Sequence, residues 1–336
     1  MAKRRYTKKG NKIQPAVQTL TLYVPAPAGS STVYLDTSQI ASLVNRRFYR
    51  QGINWPVAGF KILSNPGYTG SMTISKLPNT WVMSNAWEKG FRAWQKMNNE
   101  ALEEAPSVKP KFLDFKIYAD SAHHALGFAG NLLPVSLTGT YTPGEWESSK
   151  LRIPDTTVLG NTREREMIAT GASYPATSPV TGLNAVSLIE GYAASRGLPE
   201  VLDPNTPDDA ADADGIAPEN WMSALFNEGT EQTDEVLQDM ITENNIAPYP
   251  FENDGVHTDT MYPGGANQGI GLQIHDQEFV TSTTIGGTTR LKGGNFPCGL
   301  IRFDVVNNGS TDILTLQLSM IPGNHRGYLC EPMTEM

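Results

Sequence analysis

Apolar and polar residues begin to alternate strictly soon after the N-terminus. In VQTLTLYV, Leu20, Leu22 and Val24 fall on one face and Thr19, Thr21 and Tyr23 on the other, the period of a half-buried strand. The same two-residue period returns at Phe60 and Ile62, at Met72 and Ile74, and at Leu113, Phe115 and Ile117. It is clearest near the C-terminus. There Ile301, Phe303 and Val305 alternate with Arg302 and Asp304, NNGSTD follows, and Leu314, Leu316, Leu318 and Met320 alternate with Thr315, Gln317 and Ser319. Two such runs around a turn rich in Asn, Gly and Asp predict an antiparallel hairpin. Strands with one apolar face need a second sheet to cover that face, so an all-β sandwich or barrel is expected.

Two segments follow a helical period instead. In NAWEKGFRAWQKMNNEALEE, Trp87, Phe91, Trp94, Met97 and Ala101 recur at steps of three and four, and Pro106 lies beyond the end. Asn85 with Glu88 resembles a capping box, so the helix is expected over Asn85–Glu103. In TEQTDEVLQDMITENN, Val236, Leu237, Met240 and Ile241 form a narrow stripe on a very acidic helix. Thr170–Pro179, Pro199–Pro218 and Pro248–Gly271 are rich in Pro, Gly, Asn and Asp and read as long surface loops. No internal repeat indicates a propeller or solenoid.

Charge changes this picture more than composition does. The chain has 336 residues and a net charge of −9, long enough for one elaborated β domain or two smaller domains. Gly197–Thr289 contains 18 Asp or Glu and no Lys or Arg, which leaves 26 basic against 17 acidic residues elsewhere. Six of the first twelve residues are cations: Lys3, Arg4, Arg5, Lys8, Lys9 and Lys12. Residues 1–16 carry too little apolar surface to offset the entropy of ordering and read as a disordered arm. The body is then residues 17–336, with a helical insertion at 79–110 and acidic loops at 197–289. A cationic arm on an acidic body fits two different environments, nucleic acid for the arm and solvent for the acids. A solubilising tail or a nuclear-import signal has the same composition. Tyr6 adds a ring able to stack on bases. Arg46, Arg47 and Arg50, interleaved with Phe48 and Tyr49, either extend the basic surface or form an ordinary solvated face or subunit contact.

No apolar run approaches the ~20 residues of a membrane span, and the basic start is unlike a secretory signal. A chain made in the cytosol is expected. Cys298 and Cys330 are the only cysteines, too few for a disulfide framework, although one bridge between them stays open. Calcium chemistry is tempting at DDAADADGIAPENW. Placing Asp212 and Asp214 at the third and fifth positions of an EF-hand loop puts Ala210 first and Trp221 twelfth, where carboxylates are required. A solvated acidic loop is the better reading, and no metal or other cofactor is expected. His123 and His124 are adjacent, and neighbours on a strand or loop point apart. Glu145 and Glu147 could be imagined as a glycosidase pair, but nothing in the sequence brings particular acids together. GGANQGIG lacks the spacing of a dinucleotide loop, and no other catalytic motif is present. The sequon Asn308-Gly309-Ser310 falls in the predicted hairpin turn.

Several stretches carry a family likeness. NTWVMSNAWEKGFRAWQKMNNEAL, PKFLDFKIYAD, NLLP and YTPGEWESSKLRIPD, with PCGLIRFDV through IPGNHRGYLCEPM, resemble capsid proteins of the small circular Rep-encoding single-stranded DNA viruses, the CRESS-DNA group. The likeness covers Asn79 to Asp155 and Pro297 to Met333 and is weaker between. It implies a single jelly roll of two antiparallel four-stranded sheets, with long loops and one or two helices inserted. It also implies self-assembly into an icosahedral shell in the virion and packaging of single-stranded DNA by the arm. A host receptor, and import of the newly made chain into the host nucleus, are further implications. The six arm cations named above carry over as candidate genome contacts. The arm is shorter and less basic than the Arg-rich arms of many such proteins. About 60 copies supply only ~360 arm charges against phosphates numbering in the thousands. Basic residues on the inner surface, or small cations, must supply the rest. Two other classes compete: a soluble β-sandwich binding a glycan as an attachment module, and a β-sandwich hydrolase.

Overall fold

The computed structural model describes residues 15–103, 105–108, 113–154, 162–173, 184–195, 221–224, 271–281 and 285–336. The arm cations, the 230–245 helix and the DDAADADG loop lie outside these residues. In chain order the main elements are β1 (Thr19–Ala26), β2 (Gly29–Asp36), α1 (Thr37–Asn45), β3 (Ile53–Leu63), β4 (Gly70–Lys76), α2 (Trp81–Glu103) and α3 (Ser121–Leu126). They continue with β5 (Lys150–Pro154), β6 (Thr162–Ile168), β7 (Asn184–Ser187), α4 (Leu188–Ser195), α5 (Trp221–Ala224), β8 (Gln273–Val280), β9 (Thr288–Phe296), β10 (Leu300–Asn307) and β11 (Asp312–Met320).

Eight of these strands form two antiparallel sheets of four. Sheet one has the order β1-β11-β3-β9, and Glu331–Pro332 pairs with the start of β3; sheet two has the order β8-β4-β10-β2. The alternating residues do what their period demands. Leu20, Leu22, Phe60, Ile62, Leu314, Leu316 and Leu318 point from sheet one onto Met72, Ile74, Ile301, Phe303 and Val305 of sheet two, all buried. Each such side chain contributes about 1.5–3 kcal/mol on burial.

The expected hairpin at Asn308 does not form. β10 lies between β4 and β2 in sheet two, whereas β11 lies between β1 and β3 in sheet one. The turn therefore crosses from one sheet to the other. Alternation identifies the face a strand buries, not the neighbour it pairs with, and crossing lets the two apolar faces cover each other. Buried Asn307 shapes the crossing: its Nδ2 donates to Ala26 O (2.7 Å) and Ser310 O (2.8 Å), while Oδ1 accepts from Gly309 N (2.9 Å).

Residues 77–272 lie between β4 and β8 in the sequence, and their described parts are called the excursion below. β8 and the start of β9 themselves fall inside the 197–289 span read as loops. The excursion has a sheet of its own, β5-β6-β7, and a second core in which Val82, Met83, Trp87, Leu151, Met167, Leu188 and Trp221 meet Leu300 and Met333. The helix α2 begins at Trp81, and Thr80 caps it by accepting from Met83 N (3.3 Å). Asn85 lies within the helix. Trp87 stacks on Phe91 (5.2 Å between centroids), and Phe91 and Trp94 pack on Phe115.

The strand expected at Leu113–Ile117 is likewise absent. Phe115 and Ile117 are buried, so the alternation is real, but its hydrogen bonds go mostly to side chains, with one backbone bond from Ser149 N to Lys116 O (2.8 Å). Ile117 N donates to Gln51 Oε1 (2.7 Å), Ile117 O accepts from Gln51 Nε2 (3.1 Å), and Lys116 N donates to Ser149 Oγ (3.0 Å). Those partners satisfy the backbone without a ladder.

Trp87 is 6% exposed, whereas Trp94 is half-buried. Trp87→Ala is expected to cost about 3–5 kcal/mol and Trp94→Ala clearly less. Denaturant unfolding followed by circular dichroism measures both; equal costs would show that the two indoles are equally enclosed.

Candidate functional site

The described chain starts beside a group of arginines. Pro15 O accepts from Arg47 Nη1 (2.8 Å), Val17 N donates to Asn45 Oδ1 (3.0 Å), and Val17 O accepts from Tyr328 Oη (2.6 Å). Pro15 and Ala16, assigned from sequence to the arm, are thus tied to the fold. Arg46 caps α1, and Arg50 Nε donates to Leu113 O (3.0 Å) with its guanidinium 5.5 Å from the Phe48 ring centre.

The structure adds Arg326, which the sequence reading missed. Its carbonyl accepts from Arg47 (3.3 Å) and Tyr49 Oη (2.9 Å), and its guanidinium donates to Phe48 O. Among the described residues none of the four arginines is ion-paired to a carboxylate. Arg46 (φ 51°) and Arg326 (φ 53°) both adopt the left-handed backbone region. That costs a residue with a Cβ about 1–2 kcal/mol where glycine would be free, so the turns alone do not call for arginine. His325, packed against Tyr49, is held below its usual pKa by burial and then by Arg326 and Arg50. It adds no charge at neutral pH, and the cluster remains four permanent cations around the root of the arm.

The remaining candidates resolve into buried networks. His123 and His124 both lie in α3 and are fully buried. His123 Nδ1 accepts from Ala119 N (3.1 Å), so Nε2 carries the proton to Asn131 Oδ1 (2.7 Å). Burial, the main cause, pushes its pKa down to about 4. His124 Nε2 meets Glu166 Oε2 (2.6 Å), and Ser148 Oγ donates to Glu166 Oε1. This has the residue types of a catalytic triad in a different order, because the carboxylate stands between hydroxyl and imidazole and the serine bonds to the carboxylate rather than to the imidazole. Asp120 accepts from Tyr34 Oη (2.7 Å) and Arg302 Nη1 (3.1 Å), fastening α3 to the outside of sheet two. Cys298 and Cys330 are free thiols, and Cys298 packs 3.9 Å from Met333 Sδ. Among the described residues no group of three His, Cys, Asp or Glu is placed to hold a metal, and no helix is long and apolar enough to cross a membrane.

A cleft of about 710 Å³ opens behind Phe48, between α1 and the excursion, with Ser42, Phe128, Lys116, Glu145 and Glu147 along it. Its buried floor residue is Asp114, which accepts from Gln51 N (3.2 Å) and lies 3.7 Å from Lys116 Nζ. Burial pushes the Asp114 carboxyl up to about 6, Lys116 opposes the shift, and Asp36 adds to it. Glu145 and Glu147 both border this cleft, and Glu147 is paired with Lys150 (3.3 Å). No protein-family model, curated protein or solved structure matches the chain.

The raised Asp114 value sets a pH dependence. Its protonated form is favoured in the fold, so its contribution to stability is full below the ordinary carboxylate value of 3.8 and is lost as pH rises through about 6. Asp114→Asn is therefore expected to be more stable than the parent near pH 7.5, by up to about 3 kcal/mol, with the advantage shrinking toward pH 5. Melting temperatures of both proteins across this range test it; a constant difference would place the carboxyl at its ordinary value.

Proposed function

We propose that this chain is the coat subunit of a small virus of the circular single-stranded DNA group its sequence resembles, and that its sandwich is a single jelly roll. The strand order carries the reading. Counting the eight sandwich strands in sequence, sheet one takes the first, eighth, third and sixth, and sheet two the fifth, fourth, seventh and second. That interleaving supports a jelly-roll reading, since it is the order expected of a double Greek key. Fold alone does not assign function, and the arm supplies the second support. Its six cations precede Pro15 in the sequence, and Pro15 O is bound by Arg47. In this reading the arm and Arg46, Arg47, Arg50 and Arg326 meet the genome through phosphate contacts and counterion release. In the same reading the acidic 197–289 stretch, apart from its sandwich strands, lies mainly on the outer face and in subunit contacts. The subunit works without a chemical step of its own, and the shell, formed in the infected cell, is its destination.

The cleft beside Phe48 favours a second reading, a carbohydrate-binding attachment module, since it combines aromatic and hydroxyl-bearing walls. Electron microscopy separates the two. The purified protein is expected to form closed particles of about 60 copies or more. A protein that stays a monomer or small oligomer under all assembly conditions points to the attachment module instead. Replacing the six arm cations by Ala is expected to leave the melting temperature unchanged and to lower the 260/280 nm absorbance ratio of particles. An unchanged ratio would remove the arm from packaging.

A further inference from the structure

We infer that the outward face of sheet one is a second contact surface for single-stranded nucleic acid, binding its phosphate backbone; this rests on the coat reading. The register sets four strands side by side in three outward-facing rows. The middle row runs Thr21, Gln317, Lys61, Arg290; the row nearer the arm ends at Lys292, and the row beyond begins at Tyr23. None of the twelve positions in these rows is Asp or Glu. For a chain of net charge −9 this is a biased surface.

Two further features make the surface fit a polyanion. Lys61 and Arg290 stand directly opposite each other in the ladder, where like charges destabilise a sheet unless an anion lies between them. Neither has a carboxylate within ion-pair distance among the described residues. Lys292 reaches only the far edge of Asp276, at 4.0 Å, and its side chain remains 83% exposed. Tyr23, 44% exposed, offers a ring to a base. The outward face of sheet two differs: it carries Asp304, bound to Arg302 and Thr32, and receives α3 through Asp120. The first strand of this face follows the arm in the sequence. Gln18 O accepts from Met320 N (2.7 Å) at the end of sheet one where the arm enters, so a strand captured by the arm can run onto the rows. These cations are the kind of inner-surface charge that a short arm leaves to be found.

The test uses unassembled full-length protein and single-stranded oligothymidylate. Affinity is measured over a range of salt for the parent and for the Lys61→Gln/Arg290→Gln/Lys292→Gln variant. At about 0.7 per neutralised phosphate, the variant's log–log slope should be shallower by about 2. Acetylation of Lys61 and Lys292 in the parent should slow when the oligonucleotide is added, a readout that does not depend on the variant's folding. A parent that binds with Lys61 and Lys292 unprotected, or a folded variant with the parental slope, overturns the inference and leaves the coat reading standing. A parent that neither binds the oligonucleotide nor forms particles sinks both.

Discussion

A single buried carboxylate organises the junction on which this architecture depends. Asp36 ends β2, is fully buried, and accepts from Ser38 N (2.8 Å), Ser38 Oγ (2.6 Å), Gln39 N (3.3 Å), Gln51 Nε2 (3.1 Å) and Trp146 Nε1 (2.8 Å). A buried charge is tolerated only when its lone pairs are taken up by donors, and here the five donors come from three pieces of chain. Ser38 and Gln39 start α1. Gln51 leads into β3 and holds Ile117 by both backbone groups. Trp146 belongs to the excursion. Removing the carboxylate would leave several buried donors unpaired at once and loosen the excursion from the sandwich.

The excursion gives the molecule two unlike sides. Its α3 is fastened to sheet two by the Asp120–Tyr34–Arg302 network and by Tyr34 stacking on His123 at 4.3 Å. Sheet one has no such covering among the described residues, and its outward positions carry hydroxyls, amides and cations. The asymmetry follows from topology. An insertion between β4 and β8, adjacent strands of one sheet, leaves and re-enters the fold on that sheet's side.

Which parts of this were readable in the sequence depended on whether a local pattern had a local cause. The alternation in β1, β3, β4, β10 and β11 was legible because burial on one face has a period of two wherever a strand pairs. Strand partners were not, and the Asn308 turn misled because the same turn chemistry serves a hairpin and a crossing between sheets. The Leu113–Ile117 run shows that alternation can be enforced by packing against a core while the ladder is missing. In α2 the aromatic stripe was plain, but the start was misplaced because Asn85 resembles a cap and Thr80 was overlooked. The second core was hidden because it is assembled from short pieces far apart in the chain. Three arginines of the site were legible because they sit together. Arg326 was not, although an arginine just before Gly327 in NHRGY marks a tight turn carrying an unneeded charge. The carboxylate-free face could have been found, since the polar positions of TLTLY, FKIL, TRLK and TLQLS contain no acid.

Thr19 pairs with Ser319, 300 residues later, and this pairing is not exceptional. β1, β2, β3 and β4 form no ladder with one another; every partner they have among the eight sandwich strands begins at Gln273 or later. Contacts so distant make folding slow, although the entropy of closing a longer loop grows only logarithmically. While the ribosome is still working, the first quarter of the chain has nothing to zip against, and neither sheet can exist. A polypeptide released before Gln273 is made lacks a partner for all four early strands and stays open to proteolysis. The strands from Gln273 onward must therefore be made before either sheet can form, so the topology itself keeps products terminated earlier from folding.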